Sequence, residues 1–571
     1  QNFSGTKDSL YTQLNFGQSQ GHNGRLYDDA SYDFTMFGNI SGQGIKLNHR
    51  AGRLSLAGTV DVYAVNNNGT MALYGVDQNG YAISTTSFTN GSDATLEAGF
   101  TVDGRVTRVQ AEQAQLAGTL ALRPQTALYA NEQKIDLGSV LTAENISGAF
   151  AHTVVADYSP TLDFSLQQNQ DNYQVTVSRK ANAYSQHAAN DGAASLGRAL
   201  AQIASQVQSP EQSLAQTSRV STTESSSVHS DHSDHSDMDE LLLALDWSAP
   251  DGHEVTQGLN ALGANAYDIA ARASLMQQSA FNTMLLQRQL SQRSPQEKQA
   301  QPAEPALPAT AQLPQRSPQG QASVVPVVSE WNVWVTPYAS GMWQSTASNT
   351  TSWSSQSYGL MLGADKDFKS GLRLGAHLVA TDQRTKAKDE LRATVDSNAV
   401  LLGVHGSYAP DEWHGGWLAA QARVGVESSD MERTVAINGY VNSNESSWTG
   451  VIGSVLLGGG KDWQWQWQAQ AQGQEREQSN SLLSVGPLAF VEYSFLQRPA
   501  LDERKGNSSR LGVDRELYDS LRLNVGAHMS YDTVLSNGAS FGVELLTAVR
   551  YELQDELKTG AHFLDVSCGE V

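Results

Sequence analysis

From Gln464 to Gln472 every second residue is a glutamine, and Trp463, Trp465, Trp467, Ala469 and Ala471 fill the alternate places. Period-2 alternation makes a strand with one apolar and one polar face. The run is about as long as the 9–11 residues with which one strand crosses a bilayer. A half-exposed strand of a soluble sheet would tend to put small and branched residues on its buried face. Three tryptophans at one end of one face fit an aromatic girdle at a bilayer edge, with the glutamines turned into a wet lumen.

Composition agrees and narrows the function. The chain has 571 residues, too many for one ordinary domain. Its formal net charge of -22 argues against nucleic acid as a partner. No run of about eighteen apolar residues occurs, so a transmembrane helix is not expected; a β-barrel escapes such a scan because only alternate residues face lipid. The single cysteine, Cys568, allows no internal disulfide. The chain opens at Gln1 with neither Met nor a charged-then-apolar leader, so a missing N-terminal part is expected.

Five segments follow from texture. Residues 1–180 carry short apolar bursts between Gly, Asn and Asp turns. Examples are Ile45–Leu47, Leu54–Leu56, Val60–Val62 and Met71–Leu73. They look like rungs of a parallel β-helix, with a β-sandwich as the alternative. Residues 181–253 read as a polar Ser/His/Asp-rich linker with a short Ala-rich helix near 188–207. The tract holds His229, His232 and His235, residue types that bind divalent metals, but in a flexible Ser-rich setting that fits a solvated linker better. Residues 254–293 show helical spacing through Leu259, Leu262, Ala266, Ile269 and Ala273, with small side chains and few charges, slim enough for a narrow channel. Residues 294–328 are rich in proline and glutamine, an extended linker.

From 329 to 571 alternating strands dominate, beginning with Trp331, Trp334 and Tyr338. Short turns such as Lys369–Gly371 alternate with long polar stretches such as Ser428–Ser447, the outer-membrane barrel pattern. Trp331 and Trp334 join Trp463, Trp465 and Trp467 as expected girdle residues.

A β-rich stalk, a slim helix and a barrel, in that order, resemble a monomeric autotransporter of type V secretion. The opening Trp331–Tyr338, the strand Gly359–Asp365 and the upstream helix carry the resemblance. So do Gly138–Phe150, Leu162–Leu166 and Tyr173–Arg179, which look like an autochaperone-like passenger cap. The resemblance implies an all-β chain: a β-helix-like passenger stalk, a helix threading the pore, and a twelve-strand-type outer-membrane barrel. It implies export of the chain's own passenger to the surface of a Gram-negative cell, with virulence as a common setting. Implied partners are outer-membrane lipid, the barrel-assembly machinery and periplasmic chaperones. Residues 177–184 are weakly similar to stalk ends of subtilisin-like autotransporters. The chain departs from the pattern at its end, Cys568–Val571, where the family has an aromatic last residue. The barrel is therefore expected to be incomplete by roughly one to three strands at about 9–11 residues each.

No catalytic set assembles. Gly17–Gly21 and Gly538–Gly542 match Gly-x-Ser-x-Gly, but a nucleophile elbow needs a strand before it and a helix after it. A polar turn and a barrel strand surround them instead. No catalytic or metal site and no cofactor is expected. The alternatives to a translocator are the remnant of a surface serine protease whose catalytic domain lies upstream, or an adhesin.

Overall fold

The protein is described from a computed structural model, covering residues 12–20, 25–156, 158–169, 172–206, 232–291, 331–345, 351–368, 370–388, 391–469, 479–534, 540–554 and 559–564. Strands hold 61% of the described residues, so the all-β expectation holds.

The N-terminal part is a parallel β-helix. One sheet runs Thr12–Phe16, Ile40–His49, Val60–Asn67, Tyr81–Asn90, Arg108–Leu116, Leu141–Gly148; the other runs Asp33–Met36, Arg53–Leu56, Thr70–Leu73, Thr95–Phe100, Thr119–Pro124, His152–Val155. The chain alternates between the two sheets, and all their neighbours pair in parallel, which excludes a sandwich of antiparallel sheets. Like residues therefore stack from coil to coil. Leu47, Val65 and Phe88 share one register and are fully buried, as do Leu54, Met71, Leu96 and Leu120. Polar stacks form too. The His49 ring lies 2.8 Å from the Asn67 amide oxygen; Asn67 donates to Asn90 (2.8 Å), and Asn90 to the Ala117 carbonyl (2.8 Å). Buried amides survive there because each coil supplies the next one's partner.

The expected cap is antiparallel, but assembled differently. Leu162–Asn169, Asn172–Arg179 and Gln133–Gly138 form it, while Leu141–Gly148 within the expected stretch is the last coil.

The segment 181–253 is not a solvated linker where it is described. It holds α1 (Asp191–Ala204) and α2 (His232–Asp246). The expected single helix over 254–293 is broken into α3 (His253–Leu262) and α4 (Asn265–Ser291). The break falls at Gly263, whose backbone is extended (φ -74°, ψ 171°); glycine costs about 1 kcal/mol in a helix interior relative to alanine, so the chain turns there cheaply. The Pro-rich segment 294–328 lies outside the described residues.

The C-terminal part is a curled antiparallel sheet of β1 (Trp331–Gln344), β2 (Trp353–Asp367), β3 (Leu372–Ala387), β4 (Ala393–Tyr408), β5 (Gly416–Ile437), β6 (Tyr440–Lys461), β7 (Trp463–Ala469), β8 (Ser479–Arg498), β9 (Glu516–Val534) and β10 (Ser540–Glu552). The order is β1-β2-β3-β4-β5-β6-β8-β9-β10; β7 continues β6 in the same register along β8. Among the described residues β1 pairs with β2 and β10 with β9, not with each other. The longest hairpin, β5–β6, turns at Asn438 (φ 39°) and Gly439 (φ 90°), the left-handed pair that an Asn-Gly tip accepts and a twisted hairpin needs.

Candidate functional site

The curled sheet holds α4 as its core. The helix is buried all round: Ala270, Ala273 and Ser274 on one stretch and Gln277, Gln278, Asn282 and Gln289 on the next are buried. At 27 residues it spans about 40 Å, enough to traverse a barrel. Small side chains let the wall approach, and polar ones answer polar wall residues.

Three levels of contact fix the helix. In the middle, Ser274 donates to Glu427 (2.8 Å), Gln277 to Thr381 (2.7 Å), and Ser279 and Asn282 to Glu492 (2.8 and 3.2 Å). Arg423 donates to Asn282 and, through Nε, to Ser454 (2.9 Å). Toward the C-terminal end, Arg288 meets Asp365 (3.1 Å) and lies 4.3 Å over the Trp334 ring; Gln289 donates to the Gly406 carbonyl (3.0 Å). Asp365 also accepts from Trp334 Nε1 (3.0 Å) and lies 2.6 Å from His405 Nε2. A cavity of about 250 Å³ lies beside Arg288, Trp334 and Met361. At the opposite end the Tyr267 hydroxyl donates to Glu503 and its oxygen lies in hydrogen-bond reach of the Ser446 hydroxyl, both at 3.0 Å. Glu503 is clamped by Arg433 at 2.6 and 3.1 Å, and Arg433 also donates to the α3 carbonyl of Ala261 (2.6 Å). Both charges are buried, so each is satisfied only through the other and its hydrogen bonds.

A mouth plug sits on the β5–β6 end. Apolar residues of α1, α2 and α3 form one core with Met431, Val435, Ile437 and Tyr440. Asn438 at the hairpin tip donates to the α2 carbonyl of Ala244 (3.3 Å) and to that of Trp247 (2.8 Å). Asp246, at the end of α2, accepts from Arg179 (2.7 and 3.0 Å), Thr161 (2.6 Å) and Tyr184 (2.8 Å) of the β-helix side. Burial holds the Tyr184 hydroxyl well above the usual phenol range, so it stays a donor.

The expected pore residues divide between two places. Ala266, Ile269 and Ala273 lie on α4, buried in the barrel. Leu259 and Leu262 are equally buried but belong to α3 in the mouth plug, because the helix breaks at Gly263. The expected girdle also divides. Trp331 (53%), Trp463 (49%) and Trp465 (48%) are exposed on the outer face; the side chain of Trp467 lies outside the described residues. Trp334 is a correction: it faces inward to Asp365 and Arg288. Residues three apart on a strand lie on opposite faces, so Trp331 and Trp334 cannot share a girdle. Gln464 lies opposite the tryptophans but is exposed, because β7 runs past the last β5 pair, Gly416–Lys461.

His229 lies outside the described residues, and His232 and His235 fall in the opening turns of α2. Ser19 sits in the short strand Gln18–Gln20 and Ser540 opens β10, so neither stands at a strand-to-helix elbow. Sequence reading missed Arg433, Glu503, Asp246 and Arg179; the two ion pairs join residues 70 and 67 positions apart, and no local pattern marks them.

The family model of the autotransporter beta-domain matches residues 333–567. The translocator domain of autotransporter NalP from Neisseria meningitidis is 12% identical, over 40% of this chain and 69% of that one, with a TM-score of 0.30. The beta domain of the Bordetella autotransporter Brka is 13% identical, over 41% of this chain and 99% of that one, with a TM-score of 0.19. No curated protein matches the chain, and nothing in the comparisons points to the subtilisin-like subgroup. Such β-domains reside in the Gram-negative outer membrane and are translocators rather than enzymes. Residues 333–567 thus match the autotransporter beta-domain model, and the curled sheet occupies the same stretch.

Proposed function

We propose that this chain exports its own N-terminal part to the cell surface through or with its barrel, and that α4 is the last stretch of the exported chain, left in the lumen. The observation that carries the reading is the fit of α4. Its Ser, Gln and Asn side chains meet Glu427, Glu492 and Thr381, so the wall is built for a polar helix and not for open water. The β-helix then lies beyond the plugged mouth, on the outer side. The outer face suits lipid: Val400, Leu402 and Val404 on β4 are exposed while Ala399, Leu401 and His405 are buried. Barrel-assembly machinery and periplasmic chaperones are partners on this reading, since a chain crossing the periplasm must stay unfolded until its strands pair.

The test is surface labelling. A cysteine replacing exposed Asp163 in the cap, in a Cys568→Ser background, should react in intact cells with a membrane-impermeant maleimide. A second pair, Ser274→Cys with Glu427→Cys, should crosslink in the same cells. Labelling only after lysis would end the export reading; failure of the pair to crosslink would end the pore-helix reading.

A further inference from the structure

The helix α4 touches its wall through apolar and polar side chains, and only the polar ones depend on where the helix stops. Ala271 is followed one turn later by Leu275, and Phe281 by Leu285; all four share a core with Trp334, Tyr338 and Met361. A slide of one turn, about 5.4 Å, would therefore return an apolar side chain to each of those places. The polar contacts do not repeat in this way. We infer that Glu427, Glu492 and Arg423 are positioning residues that set the register of α4. A chain moving through the barrel comes to rest with Ser274, Ser279 and Asn282 opposite them, and not one turn to either side.

All three wall groups are buried charges. Ser274 (2.8 Å) is the one hydrogen-bond donor to Glu427 among the described residues. Glu492 accepts from Ser279 (2.8 Å) and Asn282 (3.2 Å) on the helix. Arg423 and Ser454 both donate to the Asn282 side-chain oxygen. A charge out of water is costly unless it is hydrogen-bonded. Fixing register is also the best-attested use of buried polar groups in packed helices.

The neighbouring registers can be compared residue by residue. Held back by one turn, the helix would set Ala270 against Glu427, which then has no donor, and Leu275 against Glu492. Advanced by one turn, Gln278 and Thr283 could still donate to the two carboxylates. Leu286 would then replace Asn282 beside Arg423 and Ser454, and Arg288 would leave Asp365. A slip of one residue turns the face by about 100° and removes every contact at once.

The inference rests on the export reading for the movement, not for the register, and the experiment separates the two. In a Cys568→Ser background, Tyr338→Cys is paired with Phe281→Cys, its present neighbour (ring centroids 4.9 Å apart), or with Gln277→Cys or Leu285→Cys, one turn to either side. Crosslinking the detergent-purified full chain with a short bismaleimide should join the 281 pair and hardly the others. With Glu427→Leu and Glu492→Leu together, the shifted pairs should rise on the order of tenfold, the scale of lost hydrogen bonds to charged groups. Ser274→Ala with Ser279→Ala and Asn282→Leu makes the same change from the helix side, in case the wall variant fails to fold. Glu427→Gln with Glu492→Gln keeps an accepting oxygen at each place and should keep the single register. Leu401→Ala, which weakens the apolar wall, should keep it too. If the 281 pair alone still forms in the folded wall and helix variants, the inference is overturned and the mouth contacts set the register. A cap that stays unlabelled on intact cells ends the export reading and leaves the register result standing.

Discussion

The β-helix and the barrel use one alternation with opposite meanings. In the β-helix, Leu47, Val65 and Phe88 point in and form a dry stack. In β4 of the barrel, Val400, Leu402 and Val404 point out, while Ser397 and His405 point in toward α4. What decides the face is the neighbour: the next coil offers apolar side chains, whereas the pore helix offers Ser, Gln and Asn. A period-2 pattern therefore states that a strand has two unlike faces, and only the packing partner states which face is the inside.

The largest expected effect probes the barrel's polar inside. Arg433→Ala should lower stability by about 3–5 kcal/mol by stranding Glu503, whereas Arg433→Met with Glu503→Leu should cost far less. The temperature at which the barrel loses its compact mobility on detergent gels reads both. A single variant as mild as the double would mean that the pair is not the buried clamp described here.

The sharpest contrast comes from one substitution in two places. Leu56→Ala in a fully buried coil position should cost about 2–5 kcal/mol. Leu402→Ala, 65% exposed, should stay within about 0.5 kcal/mol in detergent. Chemical unfolding followed by circular dichroism measures each; equal losses would erase the inside-out distinction.

Turning to lipid, Leu402→Arg should cost about 2–4 kcal/mol in a bilayer, as for a cation on the lipid face near mid-depth. Refolding yields in lipid vesicles read it. Little effect in vesicles would place that face in water.

The smallest effect concerns acid. Burial lowers the pKa of His49, whose ring heads the Asn67–Asn90 ladder. The folded β-helix thus keeps the ring neutral while the unfolded chain protonates it near its ordinary value of about 6.5. Stability is full above that value and falls as pH drops toward the lowered one. His49→Gln should flatten this acid limb in a melting series. An unchanged limb would assign the loss to other groups.

Much of this was readable from local pattern. The coil bursts at Leu54–Leu56 and Met71–Leu73, the barrel strands and the outward Trp463 and Trp465 all follow from side-chain alternation. Trp334 was legible in principle, because its three-residue offset from Trp331 already puts it on the inner face. The break at Gly263 was hidden, since periodicity continues across it through Leu262 and Ala266. The mouth plug was hidden for a different reason. The polar texture of 181–253 describes a linker by composition, but α1 and α2 gain order from a core assembled with α3 and the β5–β6 hairpin. Arg433 with Glu503 and Arg179 with Asp246 are long-range events, and single-sequence reading has no access to them.

The Asn438–Gly439 tip has a mechanical consequence. It is the point where the barrel holds the end of α2, through Asn438 to Ala244 and Trp247. Tension on the stalk would enter there and run lengthwise down β5 and β6. Their bonds to β4 and β8 lie across that direction, so they share the load side by side and do not peel one after another. On the export reading, a pull on the stalk from outside would therefore load these strands in shear along their length.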